Sequence, residues 1–134
     1  MSGPQLVLIG TALTAYDTVA DCPRQPWTVA TISTLCIAPA YREIVDGIEA
    51  GIRAHVLWWA TQADRSVTRR RVDAGGPLVG VLASRSVTRP NPIGLTLVDL
   101  VDVDGLNLRV RGLDCVTGTP LLDLKPAIEL PAYQ

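Results

Sequence analysis

Phenylalanine is absent from this chain of 134 residues, and methionine and histidine occur once each, at positions 1 and 55. A core without Phe or internal Met must be built from Val, Leu, Ile and Ala with a few Trp. A single histidine excludes a zinc centre assembled from several of them. Cys22, Cys36 and Cys115 are an odd number with no paired metal-ligand spacing. That excludes a disulfide frame and reads as three reduced thiols of a cytoplasmic protein. No apolar run is long enough to span a bilayer, and residues 1–10 have neither the charged start nor the cleavage site of a leader. The formal net charge is −1, so overall charge selects no partner.

What is present is apolar and β-branched. With 48% hydrophobic residues a sizeable core is possible, and the length suits one domain over 1–134. Short runs bounded by Gly and Pro predict a mostly β fold. Strands are expected at 6–9, 27–37, 53–60, 78–83, 95–103, 106–111 and 120–125. The runs 78–83 and 95–103 have the composition of buried strands. Tyr41, Ile44, Val45 and Ile48 recur at helical spacing, so 39–49 is expected to form a short amphipathic helix, started at Pro39 and stopped by Gly51. Asp104-Gly105 is the residue pair of a type I′ hairpin turn. After it, Leu106, Leu108 and Val110 alternate with Asn107, Arg109 and Arg111, giving one buried and one wet face. Residues 61–77 read as a polar, arginine-rich connection and 127–134 as a tail. Sequential hairpins of this number close most simply into a small antiparallel β-barrel with one short helical insert.

Two stretches are compositionally odd. Arg85-Ser86-Val87-Thr88-Arg89-Pro90-Asn91-Pro92-Ile93-Gly94 has two arginines four apart, and two prolines that hold Asn91 extended between stiff joints. A two-residue turn would reverse the chain more cheaply, so the segment reads as a pre-shaped loop presenting guanidinium and amide groups. The plain alternative is a proline-rich turn with surface arginines. From Arg65 to Arg89 there are six arginines and one acid, Asp73. Such a segment suits a phosphate or carboxylate partner, unless Arg69-Arg70-Arg71 is only a solvated loop. The second stretch runs from Gly112 to Pro126 and contains Leu113, Asp114, Gly118, Thr119, Pro120, Asp123 and Lys125.

Together the two stretches resemble the signatures of the TsaA-like (TrmO) family of S-adenosylmethionine-dependent tRNA methyltransferases. Arg85, Ser86, Arg89, Pro90, Asn91, Pro92, Ile93 and Gly94 match the first signature. Leu113, Asp114, Gly118, Thr119, Pro120, Asp123, Lys125 and Pro126 match the second. Pro23-Arg24-Gln25-Pro26 and His55 match shorter family segments. The likeness extends over residues 6–126. Three positions depart from it: Val87 replaces a proline, Thr117 an acid, and Ala127 an aromatic residue. Longer members also carry a C-terminal region that helps hold tRNA.

The resemblance implies a β-barrel methyltransferase that uses S-adenosylmethionine. The implied product is N-methylated threonylcarbamoyl-adenosine beside the tRNA anticodon, and the implied assembly is a homodimer with the pocket near the subunit contact. It implies catalytic roles for Asp114, Arg89 and Asn91. The implied cofactor contacts are Pro26, Trp27, Thr28, Asp64, Arg85, Ser86, Leu95, Asp114, Cys115, Val116 and Thr117. The residue chemistry suits these parts. Arg85 can fork onto a carboxylate. Trp27, Trp58 or Trp59 can face a sulfonium or stack on adenine, or can simply pack in the core. Asp114 can orient the acceptor or take its proton, or cap its own turn. His55 reads as half-buried and satisfied by a carbonyl, and Asp123 as facing water. Two alternatives stay open beside tRNA methylation: S-adenosylmethionine binding without turnover, and a small-molecule acceptor.

Overall fold

The computed structural model describes residues 3–24, 26–28 and 30–128. Gln25 of the 23–26 segment and most of the 127–134 tail lie outside them. The barrel strands are β1 (Gly10–Leu13), β2 (Ile32–Ile37), β3 (Arg53–Trp59), β6 (Ile93–Asp104), β7 (Asn107–Arg111) and β8 (Thr119–Pro126). Between β3 and β6 a two-stranded ribbon pairs β4 (Arg69–Arg71) with β5 (Leu78–Gly80). The six strands close in the order β1-β2-β7-β6-β3-β8, and every neighbouring pair is antiparallel. Closure gives every barrel strand two neighbours, although β7 pairs only the Asp99–Asp104 half of β6 and leaves the Ile93–Val98 edge without a strand beside it. Side chains fill the interior: Ala12, Leu35, Ile37, Val56, Trp58, Val98, Leu100, Leu108, Val110 and Leu121, with Leu113 and Cys115 beside them.

Two one-residue shifts of register bend the wall, one near Val101 on β6 and one near Leu122 on β8. Such bulges increase the local twist a small barrel needs. Gly10 is required for another reason: a Cβ there would lie 2.2 Å from the Cys36 carbonyl oxygen, so only glycine lets β1 approach β2.

The first departure from expectation lies just before Gly10. The apolar run 6–9 is not the first strand. Leu6, Val7 and Leu8 are exposed, and pairing starts at Gly10. The strand expected over 27–37 is shorter as well. Residues Pro26–Thr28 form a 3-10 turn and β2 begins at Ile32. Its burial alternates cleanly, but Ser33 is one of the inward residues, which disguised the pattern. The run 78–83 is not a buried strand. Pairing ends at Gly80, a 3-10 turn at Val81–Ala83 follows, and Leu82 is 88% exposed.

The helical insert exists as a 3-10 segment, Pro39–Val45, kinked at Tyr41. It is too short to gain from α-helical propagation, and Val45 and Ile48 alone of its apolar set pack on the core. The β6–β7 hairpin is present with a different turn. Asp104 pairs with Asn107, so Gly105-Leu106 are the central residues. Only Gly105 has positive φ, +60°, which is the type II′ pattern rather than type I′. Finally, β6 is buried on one face only. Leu95 and Leu97 face outward at 46% and 47% exposure, while Thr96, Val98 and Leu100 point in.

Candidate functional site

β6 is longer than β7, whose last residue, Arg111, pairs with Asp99. The chain after β7 therefore continues beside Leu97 and Thr96, back along β6 towards the loop that precedes it. These are the two odd stretches of the sequence.

The first loop is shaped by guanidinium groups. Arg89 Nη1 donates to the carbonyls of Ser84 and Ser86, and Nη2 to that of Val81, each at 3.1 Å. Arg65 Nε donates to the Pro90 carbonyl at 2.8 Å, and its guanidinium lies 5.1 Å from the Trp59 ring centroid. Arg70 Nη1 donates to Ser86 Oγ, which also accepts from the Thr88 amide. Arg85 is different. It is exposed, and its one hydrogen bond among the described residues goes to the Leu95 carbonyl at 3.3 Å.

Beside this loop lies a cleft of about 490 Å³ lined by Leu57, Leu82, Ser84, Arg85, Arg89, Asn91, Ile93 and Leu95. A second cleft of about 180 Å³ is lined by Pro26, Trp27, Arg53, Leu97, Val98, Asp99, Arg111 and Gly112. Leu95 and Leu97 lie two apart on the outer face of β6, so the clefts follow one another along that face. Trp27 is 78% exposed there. Arg53 pairs with Asp99 at 3.3 Å, and Arg111 approaches the same carboxylate at 4.0 Å.

The second loop leaves β7 at Gly112, whose φ of +99° no L-residue adopts comfortably, and runs beside β6 near Leu97. It brings Asp114 to Thr96, whose Oγ1 donates to Asp114 Oδ1 at 2.5 Å. Burial pushes the Asp114 carboxyl above its usual range. The Thr96 hydroxyl and the Arg85 charge pull against that. Burial also raises the Cys22 thiol, with the Asp114 charge second, and pushes Cys115 up to about 12. Thiols held protonated in this way are poor nucleophiles. The rest of the loop is occupied by its own backbone. The Thr117 amide donates to the Tyr16 carbonyl, and Thr117 Oγ1 accepts from the Thr14 amide. The Val116 carbonyl accepts from Thr119.

Of the residues singled out from sequence, Arg85, Arg89, Asn91 and Leu95 line the larger cleft, and Pro26 and Trp27 the smaller. Asp114 lines neither cleft, and only the charge of Arg85 reaches it from that group. Ser86 is tied beneath Arg70, and Thr28 closes the turn containing Trp27. Asp64 belongs to neither cleft lining. It is exposed and accepts from the Ser66 amide and hydroxyl, which lower its pKa. Trp58 is buried and Trp59 lies under Arg65. His55 is half-buried, but its Nδ1 has no partner among the described residues, so the expected carbonyl is not there. Asp123 is exposed, as read. Thr96 was missed: its one signal was a hydroxyl inside an apolar run.

Known proteins place this geometry. The profile of the tRNA-methyltransferase O N-terminal domain matches residues 11–130. A probable S-adenosyl-L-methionine-binding protein, VirR, from Rhizobium radiobacter is 36% identical over 121 residues, covering 90% of this chain and 69% of that protein. The tRNA (adenine(37)-N6)-methyltransferase of Escherichia coli is 36% identical over 137 residues, covering 94% of this chain and 58% of the enzyme. A crystal structure of TrmO superposes with a TM-score of 0.81 at 28% identity, over 95% of this chain and 58% of that one. The chain thus spans somewhat more than half of the solved protein and of the Escherichia coli enzyme. A matching profile over most of the length, two motif loops that keep most of their signature residues and the same barrel lead to one conclusion: the chain belongs to the tRNA-methyltransferase O N-terminal domain family.

Proposed function

We propose that this chain binds S-adenosylmethionine in the clefts along the outer face of β6 and transfers its methyl group to a nitrogen of a tRNA adenosine, the threonylcarbamoyl-adenosine beside the anticodon. One observation carries the reading: the exposed Arg85 of the first loop lines a cleft of about 490 Å³, and its charge reaches the half-buried Asp114 of the second loop, far away in sequence, as the weakest of the influences on that carboxyl. That volume is in the range of small-molecule sites, and its lining divides evenly between apolar residues (Leu57, Leu82, Ile93 and Leu95) and polar ones (Ser84, Arg85, Arg89 and Asn91).

The residues fit the molecule. Its α-carboxylate needs a cationic fork, and the Arg85 guanidinium is exposed and spends one donor on a carbonyl. Its adenine needs a flat apolar partner and backbone polar groups, which Trp27 and the Pro26–Thr28 turn supply. When bound, the sulfonium supplies an electrophilic methyl carbon and leaves as a thioether. The chain's part is alignment and proton handling. Arg89 spends three of its five N–H donors on loop carbonyls, which sets the positions of Arg85 and Asn91, and keeps two for a ligand in the cleft it lines. Asp114 orients the acceptor N–H and takes its proton, for which a carboxyl raised by burial is a better base than an ordinary one.

Arg69 and Arg71 lie on one face of β4, opposite Arg70, and suit the phosphates of the tRNA. A second copy of the chain suits the exposed Ile93, Leu95 and Leu97, and the working compartment is the cytoplasm. Binding without turnover is the second reading. Thr117, where the family has an acid, is a hydroxyl already bonded to the Thr14 amide. Incubation of the chain with methyl-labelled S-adenosylmethionine and bulk tRNA separates the two. Label in tRNA nucleosides supports transfer; cofactor binding with no label leaves binding alone.

A further inference from the structure

Asp114 is held by a chain of hydrogen bonds that begins inside the barrel. Trp58 Nε1 donates to Thr96 Oγ1 at 3.1 Å, and Thr96 Oγ1 donates to Asp114 Oδ1 at 2.5 Å. Chemistry fixes the direction of both links. An indole N–H donates and never accepts, so it occupies a lone pair of the Thr96 oxygen. The one proton of that hydroxyl is then left for the carboxylate. Thr96 and Trp58 are both buried, and threonine is stiff at χ1, so the hydroxyl has few other orientations.

Gly94 makes the first link possible. A Cβ on Gly94 would lie 2.0 Å from Trp58 Cε2, so the indole lies across the backbone of β6 where a side chain is missing. From there it reaches Thr96, two residues further on. Gly94 closes the first motif and Asp114 belongs to the second. Trp58 and Thr96 join them, and neither is part of either motif.

We propose that Trp58 and Thr96 are positioning residues for Asp114: the indole makes the Thr96 hydroxyl a one-way donor, and that donor holds the carboxylate in a single orientation towards the substrate. The proposal rests on the methyl-transfer reading for what Asp114 does, and not for how it is held. The titratable and charged groups that face Asp114 are Arg85 from the first loop, Cys22 from the segment before β2, and its neighbour Cys115. None belongs to the relay, so variants of Thr96 and Trp58 leave those charges in place.

The test is a carbon NMR titration of the aspartate carboxyls in the full chain, with Asp114→Asn used to assign the resonance. Thr96→Val keeps the shape and removes the donor, so burial is less opposed and Asp114 titrates at higher pH than in wild type. Thr96→Ser keeps the donor and the wild-type titration. Trp58→Phe keeps an aromatic ring in the core, frees the hydroxyl to turn, and moves the titration in the same direction. In methyl transfer, Thr96→Val lowers kcat about tenfold with the KM for S-adenosylmethionine unchanged. An unmoved Asp114 titration in folded Thr96→Val, or an equal shift in Thr96→Ser, overturns the proposal. A wild-type chain that transfers no methyl group, with the Thr96→Val shift still present, overturns the reaction and leaves the relay standing.

Discussion

The two motif loops meet at one region of the barrel but are held by different means. The first, before β6, is bound together by charged side chains donating to carbonyls: Arg89 to Val81, Ser84 and Ser86, and Arg65 to Pro90. The second, after β7, is held by glycines at positive φ, by backbone bonds and by the hydroxyls of Thr14, Thr96, Thr117 and Thr119. In the first loop, therefore, a charged residue can be indispensable to shape and irrelevant to chemistry. In the second the Asp114 carboxylate accepts from the Thr96 hydroxyl, a bond that an Asn oxygen keeps, so Asp114→Asn changes charge with little change of shape.

The sharpest way to break this contrast is at Arg89. Arg89→Ala leaves the Ser84 and Ser86 carbonyls without their donor and takes one donor of three from that of Val81, and the expected loss is about 3 kcal/mol by urea denaturation, with cofactor binding lost as well. Arg89→Lys recovers little of it, because an ammonium lacks the planar fork. Wild-type stability in Arg89→Ala would mean that the loop is shaped by its prolines alone. Gly94→Ala comes next. Its methyl group must displace the Trp58 ring, an overpacking worth about 2 kcal/mol in the same measurement. Arg85→Ala is expected to leave the urea midpoint in place and weaken S-adenosylmethionine binding about tenfold by calorimetry, the size of one exposed charge-assisted contact. Were Arg85 and Arg89 to show the same pattern, the division of labour between them would be wrong.

Asp114→Asn sharpens the comparison from the other side. A carboxyl whose folded pKa is raised stabilises the fold fully below its unfolded value, about 3.9, and loses that contribution as pH rises through the folded value. At neutral pH the ionised, buried carboxylate is therefore a liability. Asp114→Asn is expected to abolish methyl transfer while raising the thermal midpoint at pH 7, and the gain should vanish as the midpoint is measured at progressively lower pH. The smallest effect belongs to the ribbon. Arg69→Ala should lower the slope of log affinity for tRNA against log salt by about one, with the barrel's stability unaltered.

How much of this could be read from the residues follows the same division. Pro90, Pro92, Gly94 and the paired arginines announced a rigid loop, because proline and glycine act locally. The β6–β7 hairpin was legible for the same reason. The alternation of Leu106, Leu108 and Val110 was plain, although the turn shifted by one residue to Gly105-Leu106. The two faces of β6 were not legible. Its outward residues Ile93, Leu95 and Leu97 are as apolar as its inward ones, so the run looked buried throughout. Inside that run Thr96 gave no sign that it reaches a residue 18 positions on. The partnership of Gly94 with Trp58 was equally hidden, since it depends on the register of β3 against β6. Leu6, Val7, Leu8 and Leu82 misled in the same way, being apolar and exposed.

The most direct test of the account is a crystal structure of the chain grown with S-adenosylhomocysteine. The expected result is density in the clefts along β6, with the ligand's carboxylate within hydrogen-bonding distance of the Arg85 guanidinium and its sulfur turned towards Asp114. Density at any other surface, or clefts left empty at saturating ligand, would contradict it.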